Sequence, residues 1–342
     1  MLKKEEIALR KATTLKDIAQ RTGYSVIAVS KALRDHGDIS LQTRQHIKQV
    51  ADEMGYIKNA SATNLRYGAT HTLALIISDI TNPFFGILTR HVEKTARKNG
   101  YNVMIMNTDE DPAKEERAAI TAVSTNVDGV LIVPCQENER ALKILRDHDV
   151  PYVLMGRFFE GKKDPAVVFD DYTGGYIATA HLLEQGYKRI LMLAAEPYIS
   201  SSQERYRGYL QAHTDRGVAP DERLCICCGS TTEKCEAALL EGKKLGFDAI
   251  FTYNDILAFQ TIALLQKQGL RVPEDLAVVG FDDVAASIGY LYPLTSVSLP
   301  LDELGKKALE KMLDIIGKKT IQTHTVLPVG LNVRQTSPKV TK

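Results

Sequence analysis

The chain has 342 residues, 44% of them hydrophobic and 25% charged, which fits a soluble globular protein of two or three domains and excludes fibrous and disordered classes. The formal net charge of +1 hides an asymmetry, because residues 1–66 carry 12 Lys+Arg against 7 Asp+Glu while the remainder carries 31 against 35. No run approaches the ~18 apolar residues of a membrane span, and the charged opening MLKKEEIALRKA lacks the apolar core of a leader, so a cytoplasmic location and no membrane contact are expected.

Residues 1–12 read as a solvated tail, with an extra turn of helix or a disordered arm touching DNA as the alternatives. The stretch TTLKDIAQRTGYSVIAVSKAL then holds two short helical patterns around a turn at Thr22-Gly23-Tyr24, a helix-turn-helix. Thr14 caps the first helix, with Asp17 three residues on, and Ile18 and Ala19 form its inward face. Ser25 caps the second helix. In it the spacing turns Val29 and Leu33 inward and leaves Val26, Ile27, Ser30, Lys31 and Arg34 outward. Two β-branched apolar residues facing water suit contact with thymine methyls in a major groove.

Ser40 caps a third helix over 41–54, with Ile47, Val50, Ala51 and Met54 inward, so residues 13–58 make a small three-helix domain. Residues 59–70 follow as a small-residue, polar linker with one large apolar side chain, Leu65. A helix of one or two turns is marginal in water, so this segment reads as a hinge that orders only in a complex.

From Leu73 the pattern changes to short apolar runs alternating with helical stretches. LALIIS, NVMIMN, GVLIVP and YVLM come first; RILMLA, LCIC, AIFTY and LAVVGF follow. Such Val/Ile-rich runs, bounded by Gly, Pro and Asp, are buried parallel strands, and the alternation predicts a doubly wound α/β fold long enough for two lobes. Ligands of such sheets bind at the carboxyl ends of strands. That rule selects Ser78-Asp79, Asn107, Gly156-Arg157, Asn254-Asp255 and Asp282-Asp283. Of five cysteines, Cys225, Cys227, Cys228 and Cys235 cluster without a nearby histidine or a zinc spacing. They read as free thiols, and no metal or cofactor is expected.

With these residues laid out, the chain closely resembles the lactose-repressor/galactose-repressor (LacI/GalR) family of bacterial transcription regulators over nearly its whole length. The head and hinge are carried by TTLKDIAQRTGYSVIAVSKAL and TRQHIKQVADEMGYIKNASATNL; the effector-domain signatures are TNPFFGIL, HLLEQGYKRI, RYRGY, NDILAFQ, VPEDLAVVGFDD and PLTSVSLPLDELGKKAL. The resemblance implies an N-terminal three-helix helix-turn-helix domain and hinge helix joined to a two-lobed, doubly wound α/β effector domain of periplasmic-binding-protein type. The first lobe is expected over 71–169 with 300–325, and the second over 170–299 with 326–337, before a tail at 338–342.

By the same resemblance Val26 and Ile27 read bases and Lys31 reads a guanine, where relatives more often have arginine with its bidentate fork. Thr14, Ser25, Ser30 and Asn59 contact phosphates. Leu65 is the hinge leucine wedged between central base steps from the minor groove, its unstacking cost offset by contacts to bent DNA, and Arg66 favours the groove's negative potential. The effector is expected between the lobes on Ser78, Asp79, Phe84, Phe85, Arg157, Arg205, Asn254 and Asp282, a set suited to hydroxyls and an apolar ring face. Phe84 and Phe85 equally fit ordinary packing at a helix start. Where relatives place an aromatic wall this chain has Gly229-Ser230-Thr231, which argues against a flat purine.

The expected partners are double-stranded operator DNA, a small-molecule effector of carbohydrate type and a second copy of the chain. A dimer is expected because no leucine heptads follow LPVGLNVRQTSP. The reading is a sequence-specific repressor in the nucleoid whose operator affinity depends on effector. An enzyme is the first alternative, but GxSxG, GxxxxGK, HExxH and GxGxxG are all missing. A stand-alone sugar-binding protein is the second, and it would not need the helix-turn-helix.

Overall fold

The structure is a computed structural model that describes residues 13–57, 69–229, 232–287 and 293–338. The chain divides into two compact units, residues 1–69 and 70–342.

In the first unit α1 (Leu15–Thr22), α2 (Val26–Ala32) and α3 (Leu41–Glu53) each begin at a hydroxyl cap: Thr14, Ser25 and Ser40 accept from the backbone N–H three residues on. At Thr14 the cap is reciprocal, since Asp17 accepts from the Thr14 N–H at 2.7 Å. Gly23 ends α1 in the left-handed region at φ 76°, the conformation the turn into α2 requires. The core is Ile18, Ala19, Val29, Ala32, Ile47 and Ala51. Val29 and Leu33 both pack into it as their spacing predicts, Val29 fully buried and Leu33 half-buried at the C-cap of α2, and Ala32, which that spacing did not select, is fully buried beside them.

The second unit holds two six-stranded sheets. The first comprises β1 (Thr72–Ile77), β2 (Asn102–Asn107), β3 (Gly129–Ile132), β4 (Tyr152–Met155), β5 (Ala166–Phe169) and β11 (His324–Leu327), in the order β11-β5-β4-β3-β1-β2 and wholly parallel. Leu73, Leu75 and Ile77 of β1 face a core shared with α4 (Pro83–Lys98) and α12 (Leu301–Ile316). Ala74 and Ile76 face the opposite core, against α5 (Pro112–Ser124) and α6 (Arg140–Asp147).

The second sheet comprises β6 (Ile190–Ala194), β7 (Cys225–Cys227), β8 (Ala249–Thr252), β9 (Ala277–Asp282), β10 (Thr295–Ser298) and β12 (Gly330–Asn332), in the order β12-β10-β9-β8-β6-β7. Only the β10–β12 pair is antiparallel. One face carries α7 (Asp171–Glu184) and α8 (Ser200–Asp215); the other carries α9 (Thr232–Leu245) and α10 (Asp255–Lys267). A short α11 (Val284–Ser287) follows β9.

Three chain segments connect the lobes. They follow Phe169, Ser298 and Leu327, and Leu299 and Val329 pack against cores of both lobes. The third crossing comes after residue 327 and not after 325, because Val326 and Leu327 pair with Val168 and Phe169 in the first sheet.

Candidate DNA-reading face and effector cleft

The outward side of α2 is as its spacing dictates: Val26 is 39% and Ile27 71% exposed. Several polar residues on this unit already have local partners. The Ser25 hydroxyl accepts from Ala28 N at 3.1 Å, the Ser30 hydroxyl accepts from Arg34 Nη2 at 2.8 Å, and the Thr14 hydroxyl donates to Asp17 at 2.7 Å. Lys31 forms an ion pair with Asp38 in the loop after α2. Asn59, Leu65 and Arg66 lie outside the described residues.

The cleft between the lobes, about 470 Å³, is lined from the carboxyl ends of strands in both sheets. Asp79, Phe84, Phe85, Arg157, Arg205, Asn254 and Asp282 all line it. Ser78 does not: it is fully buried one residue short of the cleft, and its hydroxyl has no hydrogen-bond partner among the described residues.

In the first lobe Asp79 Oδ1 accepts from Thr81 N at 2.9 Å and from its hydroxyl at 2.6 Å, which fixes the loop into α4. Phe84 and Phe85 meet edge to face, with centroids 5.0 Å apart. Phe85 belongs to the buried core, so it combines packing with lining the cleft, while Phe84 is half-buried. Arg157 is buried and forked onto Glu110 at 2.7 and 2.9 Å, with a third bond to Pro134 O at 2.8 Å.

In the second lobe a close helix crossing positions Arg205. A Cβ on Gly175 would lie 2.1 Å from Arg205 O, and one on Gly208 would lie 2.1 Å from Tyr172 O, so only glycines let α7 and α8 approach this far. Arg205 Nε then donates to Asp171 at 2.8 Å, both side chains being 5% exposed. Its guanidinium lies 3.5 Å from the Phe281 centroid and 4.4 Å from that of Tyr253. Burial pushes the Asp171 carboxyl up to about 6 against the pull of Arg205. Asp282, at φ 104°, points at the same cleft. Burial drives its carboxyl well above the usual range, with Arg205 opposing.

The other residues chosen by the strand-end rule hold loops. Asn254 caps α10 through Leu257 N while also lining the cleft. Asn107 accepts from Ile80 N at 2.7 Å. Asp255 is buried behind the wall, bonded to the Ser296 hydroxyl at 2.5 Å and Val284 N at 2.9 Å, and Asp283 pairs with Arg334. Glu110, Glu196, Tyr198, Lys234 and Tyr253 also line the cleft, although motif reading passed over them. Glu196 and Tyr198 follow β6, so the same rule applied to RILMLA would have found them. The cysteines are free thiols, and burial raises the Cys225, Cys227, Cys228 and Cys235 thiols. Among the described residues no group of His, Cys, Asp and Glu is arranged to hold a metal, and no helix is long and apolar enough to cross a membrane.

Residues 14–59 match the model for bacterial regulatory proteins of the lacI family, and residues 70–333 match that for periplasmic binding proteins and the sugar-binding domain of the lacI family. The chain belongs to the lacI family. It is 32% identical to the HTH-type transcriptional regulator DegA of Bacillus subtilis, over 95% of this chain and 98% of that protein. A structure of the transcriptional regulator CelR with cellobiose superposes with a TM-score of 0.72 at 28% identity, covering 95% of this chain and 99% of that one. The lac repressor dimer bound to operator and an anti-inducer superposes with a TM-score of 0.81 over 96% of this chain and all of that one. At 22% identity it shows the shared fold. This lacI-family chain is therefore a DNA-binding transcription regulator, with a helix-turn-helix head and an effector domain of the sugar-binding type.

Proposed function

We propose that the chain acts as a homodimeric repressor whose operator affinity is set by an uncharged, polyhydroxylated effector held between the lobes. The observation that carries this reading is the internal neutralisation of the cleft's guanidiniums, Arg157 by Glu110 and Arg205 by Asp171. Asp79, Glu196 and Asp282 add further carboxyls to the lining. An anionic sugar phosphate would meet carboxylates and cations already engaged, whereas hydroxyls find acceptors and donors at Asp79, Asn254, Asp282 and the remaining Arg205 N–H groups. Phe84 and Phe85 offer an apolar face to a sugar ring. Ser78 is withdrawn from the set because its hydroxyl does not reach the cleft.

On DNA, Val26, Ile27 and Lys31 face the major groove, and Thr14, Ser25, Ser30 and Asn59 hold phosphates. Leu65 wedges the operator centre from the minor groove beside Arg66. Effector binding shifts the balance between two lobe arrangements, and with it the spacing of the paired hinges. Repression follows from obstruction of polymerase.

The test is a thermal-shift screen of neutral mono- and disaccharides, sugar phosphates and purines on the purified chain, followed by anisotropy titration of a duplex selected from a random library. Neutral sugars should raise the melting point and alter duplex affinity. A response confined to phosphorylated sugars or purines would overturn the effector class, and Leu65→Ala with unchanged duplex affinity would remove the wedge.

A further inference from the structure

Lys31 lies one helical turn beyond Ile27, the most exposed apolar residue of α2, on the side that faces the groove. Its ammonium is held by one oxygen of Asp38, while the other oxygen lies 3.3 Å from His36 Nδ1. The side chains of Lys31 and Asp38 are 37% and 46% exposed, so the pair sits in the open on the surface that must meet a polyanion. A carboxylate there opposes approach of phosphate, and a lysine bound to it supplies little of the counterion release that drives indiscriminate DNA binding. The contact with Lys31 also keeps the Asp38 carboxyl below its ordinary range, so it remains charged.

We propose that Asp38 is a specificity-determining residue that withholds Lys31 from phosphates and lets the pair engage one G·C base pair in one orientation. The chemistry is complementary. In the major groove guanine O6, an acceptor, lies beside the cytosine N4 amino group, a donor, within the same base pair. An ammonium and a carboxylate already side by side match that acceptor–donor order, and the reversed pair presents it backwards. Neither group then loses its partner without gaining another, whereas on a phosphate Asp38 would be left facing like charge.

The inference rests on the groove-facing reading of Lys31, and the experiment separates the two. The full-length chain and its Asp38→Ala, Asp38→Asn and Lys31→Ala variants are titrated against two duplexes over a salt series: one selected by the unaltered protein from a random library, and a scrambled control. Circular dichroism melts confirm folding. With Asp38→Ala the scrambled duplex should bind more tightly, the salt slope should steepen by about one phosphate, and the selected-to-scrambled ratio should fall roughly tenfold, with preference lost at one base pair. Asp38→Asn, which keeps the shape without the charge, should show the same direction. An unchanged ratio in both Asp38 variants, with a reduced ratio in Lys31→Ala, would overturn the role of Asp38 and leave Lys31 as a base reader. Unchanged ratios in all three would overturn both.

Discussion

Gln136 of the first lobe and Ser200 of the second are bonded directly to each other: Gln136 Oε1 accepts from Ser200 N at 3.0 Å and from its hydroxyl at 3.2 Å. Phe158 of the first lobe completes the bridge. Gln136 Nε2 donates to Phe158 O at 2.6 Å, and the Ser200 hydroxyl is also 3.0 Å from Phe158 N. Gln136 is 7% exposed and does not line the cleft, so it is placed to hold the lobes together without touching effector.

Gln136→Ala removes three of these bonds and leaves Ser200 N and Phe158 O unpaired on opposite lobes. Two of the three cross between the lobes, and a net hydrogen bond is worth ~1 kcal/mol, so lobe closure should weaken by about 1–2 kcal/mol and effector affinity should fall roughly tenfold. Calorimetric titration measures the affinity, and small-angle scattering measures opening of the lobes. Affinity equal to that of the unaltered protein would mean that the bridge does not govern closure.

Asp282→Asn should abolish the effector's influence on operator binding while leaving effector-free DNA binding unchanged, because the carboxyl lines the cleft and the substitution keeps its shape. Arg205 is a poorer probe. Its removal leaves Asp171 buried without its cation, a loss of about 3–5 kcal/mol that would unfold the lobe before the site could be assayed. Anisotropy titrations of Asp282→Asn with and without effector decide the matter, and a retained response would remove Asp282 from the site.

Two glycines make opposite predictions. Gly175→Ala would place a methyl against Arg205 O across the α7–α8 crossing, where backbone must move, and should destabilise the lobe by at least ~3 kcal/mol. Gly86→Ala, in α4, meets nothing within 4 Å and should stabilise by roughly 0.5–1 kcal/mol. Denaturant midpoints of the two variants should move in opposite directions. Equal midpoints would show that the crossing tolerates side chains.

What was readable in the sequence, and what was not, follows from the range of the interactions concerned. LALIIS declares a buried parallel strand by composition alone and coincides with β1, whereas NVMIMN coincides with β2, a parallel strand that lies at the sheet edge and is only partly buried. β10 escaped because TSVS looks like a loop. Yet Thr295 and Ser296 are fully buried, their hydroxyls satisfied by Arg334 O and Asp255. Arg157 was found at a strand end, but its partner Glu110 is 47 positions away, and no local pattern announces that pairing. Likewise Lys31 was visible as an outward cation, whereas its engagement by Asp38 depends on how the following loop folds back. Ala32 joins Val29 and Leu33 in the core because α2 ends at it, a boundary that periodicity does not fix.

Asp255 makes the second lobe's stability depend on pH. Its carboxyl accepts from the Ser296 hydroxyl and Val284 N, but burial dominates and pushes it up to about 7, from ~3.9 in an unfolded chain. The native state therefore binds a proton more tightly than the unfolded state does. The stabilisation is complete below pH ~4, where both states are protonated, and is lost as pH rises through about 7. Asp255→Asn keeps the shape and cannot ionise. The variant should gain on the unaltered protein as pH rises from ~4 to ~7, by an amount on the order of a few kcal/mol, and the difference should level off above that range. Urea midpoints of both proteins across pH 4.5–8.5 measure it, and a difference independent of pH would show that Asp255 is ionised throughout.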